Sequence, residues 1–275
     1  MTATPLTMKT TGQIESELNY IKPDSKLAPE VFYSGGAAAQ TYNDAYAFMP
    51  ATIEDARSSQ EDFSVHKQGF ELVKAPTKHN NFTDTNAIKA NYYDEVIEII
   101  KAATGVKDVF VFDHTVRRGS ADSSRKPAHH VHNDYTEQTA QSRALERIGA
   151  EKFAKLEGRR MIQINLWRPL VDVVQRSPLA FCNAATVKEK DLLVSRIHFP
   201  DTDHVGEIYA LRKAEEQQWV YFSEMKHDEV VLIKGFDSVQ EGVARFTPHT
   251  AFEYPDQDPN VGARASIEVR TFAFY

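Results

Sequence analysis

The chain has 275 residues, of which 26% are charged, 41% hydrophobic and 11% aromatic, with a formal net charge of −7. This excludes wholesale disorder and supplies enough apolar material for a sizeable core. It also disfavours a nucleic-acid partner, which needs clustered Lys and Arg, and no apolar run approaches the roughly eighteen residues of a membrane span.

Residues 1–30 are polar and weakly patterned, which predicts an arm that crosses the surface or joins two copies in a homodimer. The opening MTATPLTMKTTGQIE lacks the apolar core of a signal peptide. Ile88, Tyr92, Val96 and Ile99 have helical spacing, predicting a helix over Thr85–Thr104 that stops at Gly105. The run Val106–Arg118 alternates and is β-branched, hence a strand. A second helix is expected over Glu137–Leu156, ended by Gly158.

Beyond it the texture changes. MIQINLWRPL, PLAFCN, LLVSRIHF, GEIYALR, QWVYFSE, EVVLIKGF, RFTPHTAF and RASIEVRTFAF are short strand-like runs separated by Pro, Gly, Asp or Asn. Even spacing of such runs marks an all-β sandwich or barrel. The expected fold is mainly β with flanking helices, as one domain over residues 31–275. The single cysteine, Cys182, follows Leu179, Ala180 and Phe181 and reads as a small core residue in a reducing, cytoplasmic compartment.

The sharpest local signal is Pro127-Ala-His-His-Val-His-Asn-Asp134. On extended chain, residues two apart project to one side. His132 and Asp134 therefore present an imidazole and a carboxylate together, two of the three ligands of a facial triad for Fe(II). The alternative is a solvated turn. A third ligand must come from a distant histidine. His204 and His227 lie in polar or turn-like stretches, while His198 ends an apolar strand with Arg212 downstream. His249 sits on a strand-like run followed by one more strand, which begins Arg264-Ala-Ser266. The planar fork of an arginine suits the far carboxylate of an iron-chelating 2-oxo acid, and Ser266 shares its face. Arg270 shares that face too and is the alternative anchor. His130 and His132 with Glu137 and His249 outline a rival, cupin-type metal set that needs no oxo acid. A non-catalytic jelly-roll binding module is a third possibility.

The order of motifs is more specific than any one of them. Val109-Phe-Val-Phe-Asp-His-Thr-Val-Arg-Arg118, the His-x-Asp block, Ile164-Asn-Leu-Trp-Arg-Pro169, Pro178-Leu-Ala180, Trp219-Val-Tyr-Phe222, Asp228-Glu229, Lys234-Gly-Phe-Asp-Ser238, His249-Thr-Ala-Phe252 and Arg264-x-Ser-x-Glu-x-Arg270 follow one another across residues 30–275. This resembles the cephem 7α-methoxylase-related, AsaB-type hydroxylase/desaturase family of Fe(II)/2-oxoglutarate-dependent oxygenases, which includes endoperoxide-forming enzymes. The resemblance implies a double-stranded β-helix (jelly roll, cupin-like), with Fe(II) held by His132, Asp134 and His249. It implies 2-oxoglutarate on Arg264 and Ser266, O2 as co-substrate, and a bulky, hydrophobic small molecule as substrate. Separately from the resemblance, Tyr135 beside Asp134, and Asn165 and Trp167 of shared strand parity, are candidate substrate contacts, with a packed core residue the alternative for Trp167. Two departures stand out. The interval between His249 and Arg264 is longer than in many members, and Cys182-Asn183 stands where Cys-Asp is expected.

Overall fold

The computed structural model describes residues 12–34, 39–119, 126–199 and 203–275. Fifteen strands follow in chain order: β1 (Gln13–Ile21), β2 (Glu30–Ser34), β3 (Ala39–Tyr42), β4 (Tyr46–Asp55), β5 (Phe70–Lys74), β6 (Asp108–Arg118), β7 (His132–Asn133), β8 (Met161–Pro169), β9 (Leu179–Cys182), β10 (Leu192–Phe199), β11 (His204–Leu211), β12 (Trp219–Tyr221), β13 (Glu229–Asp237), β14 (His249–Ala251) and β15 (Ala265–Phe274). They form a ten-stranded sheet, β1-β4-β12-β9-β14-β7-β11-β10-β2-β3, and a five-stranded sheet, β5-β13-β8-β15-β6. This is the mainly β architecture expected from the spacing of the runs, and the jelly roll that the family resemblance implies.

Alternation along β8 and β15 explains why the sheets face each other. On one face Ile162, Ile164, Leu166, Ile267, Val269 and Ala273 pack against a helical layer carrying Ile88, Tyr92, Val96 and Ile100. That layer is α1 (Thr85–Ala87), a π-helical turn over Ile88–Tyr92, and α2 (Tyr93–Thr104). Asp84 caps its start, accepting from the Asn86 and Ala87 N–H groups, and Gly105 ends it in the left-handed region at φ 75°. On the opposite face Trp167, Val231 and Ile233 meet Phe181 and Val220 of the large sheet. The inter-sheet core is therefore aromatic and apolar around Trp167 and Phe181.

Three expectations need correction. Residues 13–21 are not an arm: β1 pairs with β4 over its whole length, and Leu18, Asn19, Tyr20 and Ile21 are buried. Its far end bridges Ile21 to Arg212, the residue after β11, and the Val131 N–H donates to the Asn19 carbonyl. The large sheet thus curls over its own back, burying Leu18 and Tyr20 with Ile53, Cys182 and Trp219. The N-terminal part of the expected arm, residues 1–11, lies outside the described residues. Secondly, the second helix is two: α3 (Glu137–Ile148) and α4 (Ala150–Ala154), divided at Gly149, whose φ of 87° no helix accommodates. Thirdly, His204 begins a strand rather than lying in a loop.

Candidate active site

The two histidines far apart in sequence are cross-strand partners: His132 on β7 lies opposite His249 on β14. Directly opposed residues share a face, and the two ring centroids are 4.7 Å apart. Asp134, two residues beyond His132, projects to the same side, with Oδ1 3.6 Å from His132 Nε2. One ligand atom from each of His132, Asp134 and His249 lies within 4.8 Å of the others.

Backbone carbonyls fix both rings. His132 Nδ1 is 2.7 Å from the His130 carbonyl, and His249 Nδ1 is 2.9 Å from that of Thr247. A carbonyl only accepts, so each Nδ1 carries the proton and each Nε2 presents its lone pair. That is the tautomer a metal requires, set by a partner on the other nitrogen. Two neutral imidazoles and one carboxylate suit Fe(II) and leave open positions.

The carrier loop is held by its middle residue. Asn133 is fully buried, donating to the carbonyls of Tyr135 (2.7 Å) and Gly235 (2.8 Å) and accepting from the Thr247 N–H (2.9 Å). It therefore ties the His132–Asp134 segment to the very residue that orients His249. Thr247 in turn donates its hydroxyl to the Gly69 carbonyl at 3.0 Å. A Cβ on Gly69 (φ +92°) would sit 2.1 Å from that hydroxyl oxygen, so glycine is needed there for both conformation and space. After the loop, Thr136 caps α3 in a reciprocal box with Thr139, setting the direction in which the chain leaves Asp134.

From the opposite sheet, Asn165 on β8 donates its amide to Asp134 Oδ2 and to Glu268 Oε1 (3.1 Å). Glu268 is paired with Arg270 at 3.2 Å, and Arg270 also reaches Asp113 (3.2 Å) and Thr115 (2.9 Å). Arg264 is different. It is 3% exposed, its Nη1 donates to the Ser177 carbonyl at 2.6 Å, its Nε has no partner, and no carboxylate pairs with it among the described residues. Its guanidinium lies 5.4 Å above the Trp167 ring and borders a cavity of about 690 Å³, shared with Tyr42, Phe48, Lys126, His129 and Ser177. Burial, with Arg117 nearby, pushes its pKa down to about 9.

A family model described as an oxidoreductase/YMDC permease-like domain matches residues 18–274. The hydroxylase/desaturase efuI of Hormonema carpetanum is 32% identical, covering 95% of both chains. The Fe(II)/2-oxoglutarate-dependent dioxygenase nvfI of Aspergillus novofumigatus is 27% identical over 94% of this chain and 96% of its own. A solved structure of the iron and alpha-ketoglutarate-dependent endoperoxidase NvfI superposes with a TM-score of 0.84, at 26% identity, over 98% of this chain and 99% of that one. The chain belongs to this family of Fe(II)/2-oxoglutarate-dependent oxygenases.

Other expected site residues fall into distinct places in the oxygenase. Trp167 is 1% exposed, packed in the inter-sheet core beneath Arg264. Tyr135 is buried with Phe236, Phe246 and Phe272 rather than lining the cavity. Asn165 has both amide hydrogens engaged by carboxylates. Ser266 is 1% exposed on β15, opposite Pro169. The rival histidines are elsewhere. His198 stacks on Phe32 and lies 3.2 Å from Glu30, His204 is exposed, and His227 lies in a turn where its carbonyl accepts from Arg168. The cupin-type set does not assemble: Glu137 pairs with Arg245 at 3.3 Å. His130 stacks on His132 at 4.4 Å with both ring nitrogens unpartnered and does not join the three-ligand group. Burial pushes the Cys182 thiol up to about 12, consistent with a core role.

Acid sensitivity follows from the ligands. Burial, reinforced by His249, lowers His132 to about 4. Asp134 is opposed by burial, but His249, His132, Arg270 and Asn165 hold it below its ordinary value. A histidine whose folded pKa lies below its unfolded value of about 6.5 stabilises the fold above that value and loses this as pH falls toward 4. Metal-free protein should therefore lose on the order of 3 kcal/mol of stability from His132 between about pH 6.5 and 4. Urea unfolding at several pH values checks this, and a flat profile across that window would contradict it.

Proposed function

We propose that this oxygenase oxidises a bulky, hydrophobic natural-product intermediate, by hydroxylation, desaturation or endoperoxidation, with Fe(II) on His132, Asp134 and His249. The observation that carries the assignment is the convergence of two Nε2 lone pairs and one carboxylate oxygen within 4.8 Å. Fe(II) at these residues, with 2-oxoglutarate and O2, supplies the oxidising power for attack on an unactivated C–H bond.

The remaining work belongs to the chain. Thr247 and the His130 carbonyl hold the imidazoles neutral and aimed. Arg264 offers the far carboxylate of 2-oxoglutarate a guanidinium with a free Nε and no ion-paired carboxylate among the described residues, with Glu253 across the same cavity and Ser266 two residues on. Arg270 is already neutralised by Glu268 and Asp113, which favours Arg264 as the anchor. Trp167, Phe181 and Phe70 form an apolar wall in the inter-sheet space beneath Arg264. The relatives named hydroxylase/desaturase, dioxygenase and endoperoxidase support the choice of reactions. A reducing compartment, the cytoplasm, is part of the same proposal, supported by one buried thiol; no helix among the described residues is long and apolar enough to cross a membrane.

Anaerobic titration of the purified protein with Fe(II) and then 2-oxoglutarate tests this. A weak visible charge-transfer band saturating at one equivalent of each is expected. Its absence with stoichiometric Fe(II) bound would remove the oxo acid from the mechanism.

A further inference from the structure

We infer that Asn165, with Gln163 behind it, is a positioning residue that restricts Asp134 to a single metal-facing oxygen. This rests on the iron assignment above and concerns residues on β8, in the opposite sheet from the ligands.

The hydrogen-bond logic is forced from the acids outward. Asp134 and Glu268 are acceptors when ionised, so the Asn165 group facing both of them must be its NH2. Both of its hydrogens are then committed, and its Oδ1 faces Gln163. That oxygen needs a donor, which fixes Gln163 with Nε2 toward Asn165. Gln163 is fully buried, and its Oε1 is left without a partner. The space it occupies exists because residue 235 is glycine: a Cβ there would come 2.1 Å from Gln163 Oε1. Buried amides are kept at a cost unless their hydrogen bonds are made, and here the Asn165 donors are spent on the carboxylates of Asp134 and Glu268.

What it achieves is asymmetry in Asp134. Oδ2 is taken by Asn165, while Oδ1 is the oxygen 3.6 Å from His132 Nε2. A carboxylate pinned through one oxygen offers a metal the other, keeping the remaining coordination positions open for the oxo acid and O2. Asn165 therefore acts through Asp134 and does not contact substrate, although its strand position first suggested that it would.

The test is anaerobic calorimetric Fe(II) titration, in the absence of 2-oxoglutarate, of wild type, Asn165→Leu, Gln163→Leu and the double variant, with circular dichroism as the check of folding. Loss of an outer partner of a ligand weakens metal binding by about 10- to 100-fold, which is the expectation for Asn165→Leu. Gln163→Leu should weaken binding in the same direction, although Gln163 touches no ligand. Because Gln163 acts only through Asn165, the double variant should be no worse than Asn165→Leu alone. Folded Asn165→Leu binding Fe(II) within twofold of wild type overturns the inference, as does a double variant whose losses add in full. If Asn165→Leu does not fold, Gln163→Leu decides, and unchanged affinity overturns it. Failure of the wild type to bind Fe(II) would instead overturn the iron assignment.

Discussion

His249→Ala should abolish formation of succinate from 2-oxoglutarate, and His132→Ala should do the same, whereas His198→Ala should leave it unchanged. The first two remove one of only two nitrogen donors in the three-ligand group. Fe(II) would then be left with a histidine and a carboxylate, and the loss should exceed the ~10- to 100-fold typical of an outer partner. His198 is the informative control, because sequence alone leaves it eligible as the distal ligand. In the structure it is a strand residue stacked on Phe32 beside Glu30, with no link to Asp134. Succinate is read by coupled assay or chromatography with Fe(II) added in excess. Normal turnover by either ligand variant, or loss on His198→Ala, would dismantle the assignment. Calorimetric Fe(II) titration beside circular dichroism of the same variants separates lost iron from lost fold.

The pairing of His132 with His249 explains why so much of the centre was legible. His-x-Asp states its own geometry through strand parity, and a distal histidine followed by Arg-x-Ser on a last strand restricts the partner. The shared face of Arg264, Ser266 and Arg270 on β15 likewise follows from strand parity. What sequence concealed depended on contacts across elements. Asn133 reads as the neutral spacer of the motif, yet its buried amide joins the loop to Thr247. Asn165 and Trp167 share parity, but parity cannot tell a residue beside a carboxylate from one beneath a guanidinium. Arg264 and Arg270 share a strand face, and only the cross-strand Asp113 on β6 and the neighbouring Glu268 show that Arg270 is the one already paired. The N-terminal strand was missed because its buried residues cluster in Leu18–Ile21 at one end, while Gln13–Glu17 alternate only weakly. A strand half covered by its own sheet has no clean period of two.

The choice between the two arginines makes an unusual pair of expectations. Arg264→Met should raise the dissociation constant for 2-oxoglutarate by on the order of 100-fold, while Fe(II) affinity stays near wild type. A buried, charge-assisted guanidinium–carboxylate contact is worth about 3 kcal/mol when one partner is removed. The same change should raise the melting temperature of the cosubstrate-free protein. Arg264 is a buried cation with no ion-pair partner among the described residues, and burial depresses its pKa although Glu253 and Glu268 act against that, so replacing it with an apolar chain of similar length removes a desolvation cost. Arg270→Met should do the reverse, stripping Glu268 of its partner and lowering the melting temperature. Scanning calorimetry without ligand, beside 2-oxoglutarate titration of the Fe(II) form, reads both quantities. Should Arg264→Met bind 2-oxoglutarate like wild type while Arg270→Met does not, the anchor is Arg270, midway along β15. A site that holds a charge in readiness sacrifices stability when empty, and the opposite signs of these two melting shifts show which arginine does so.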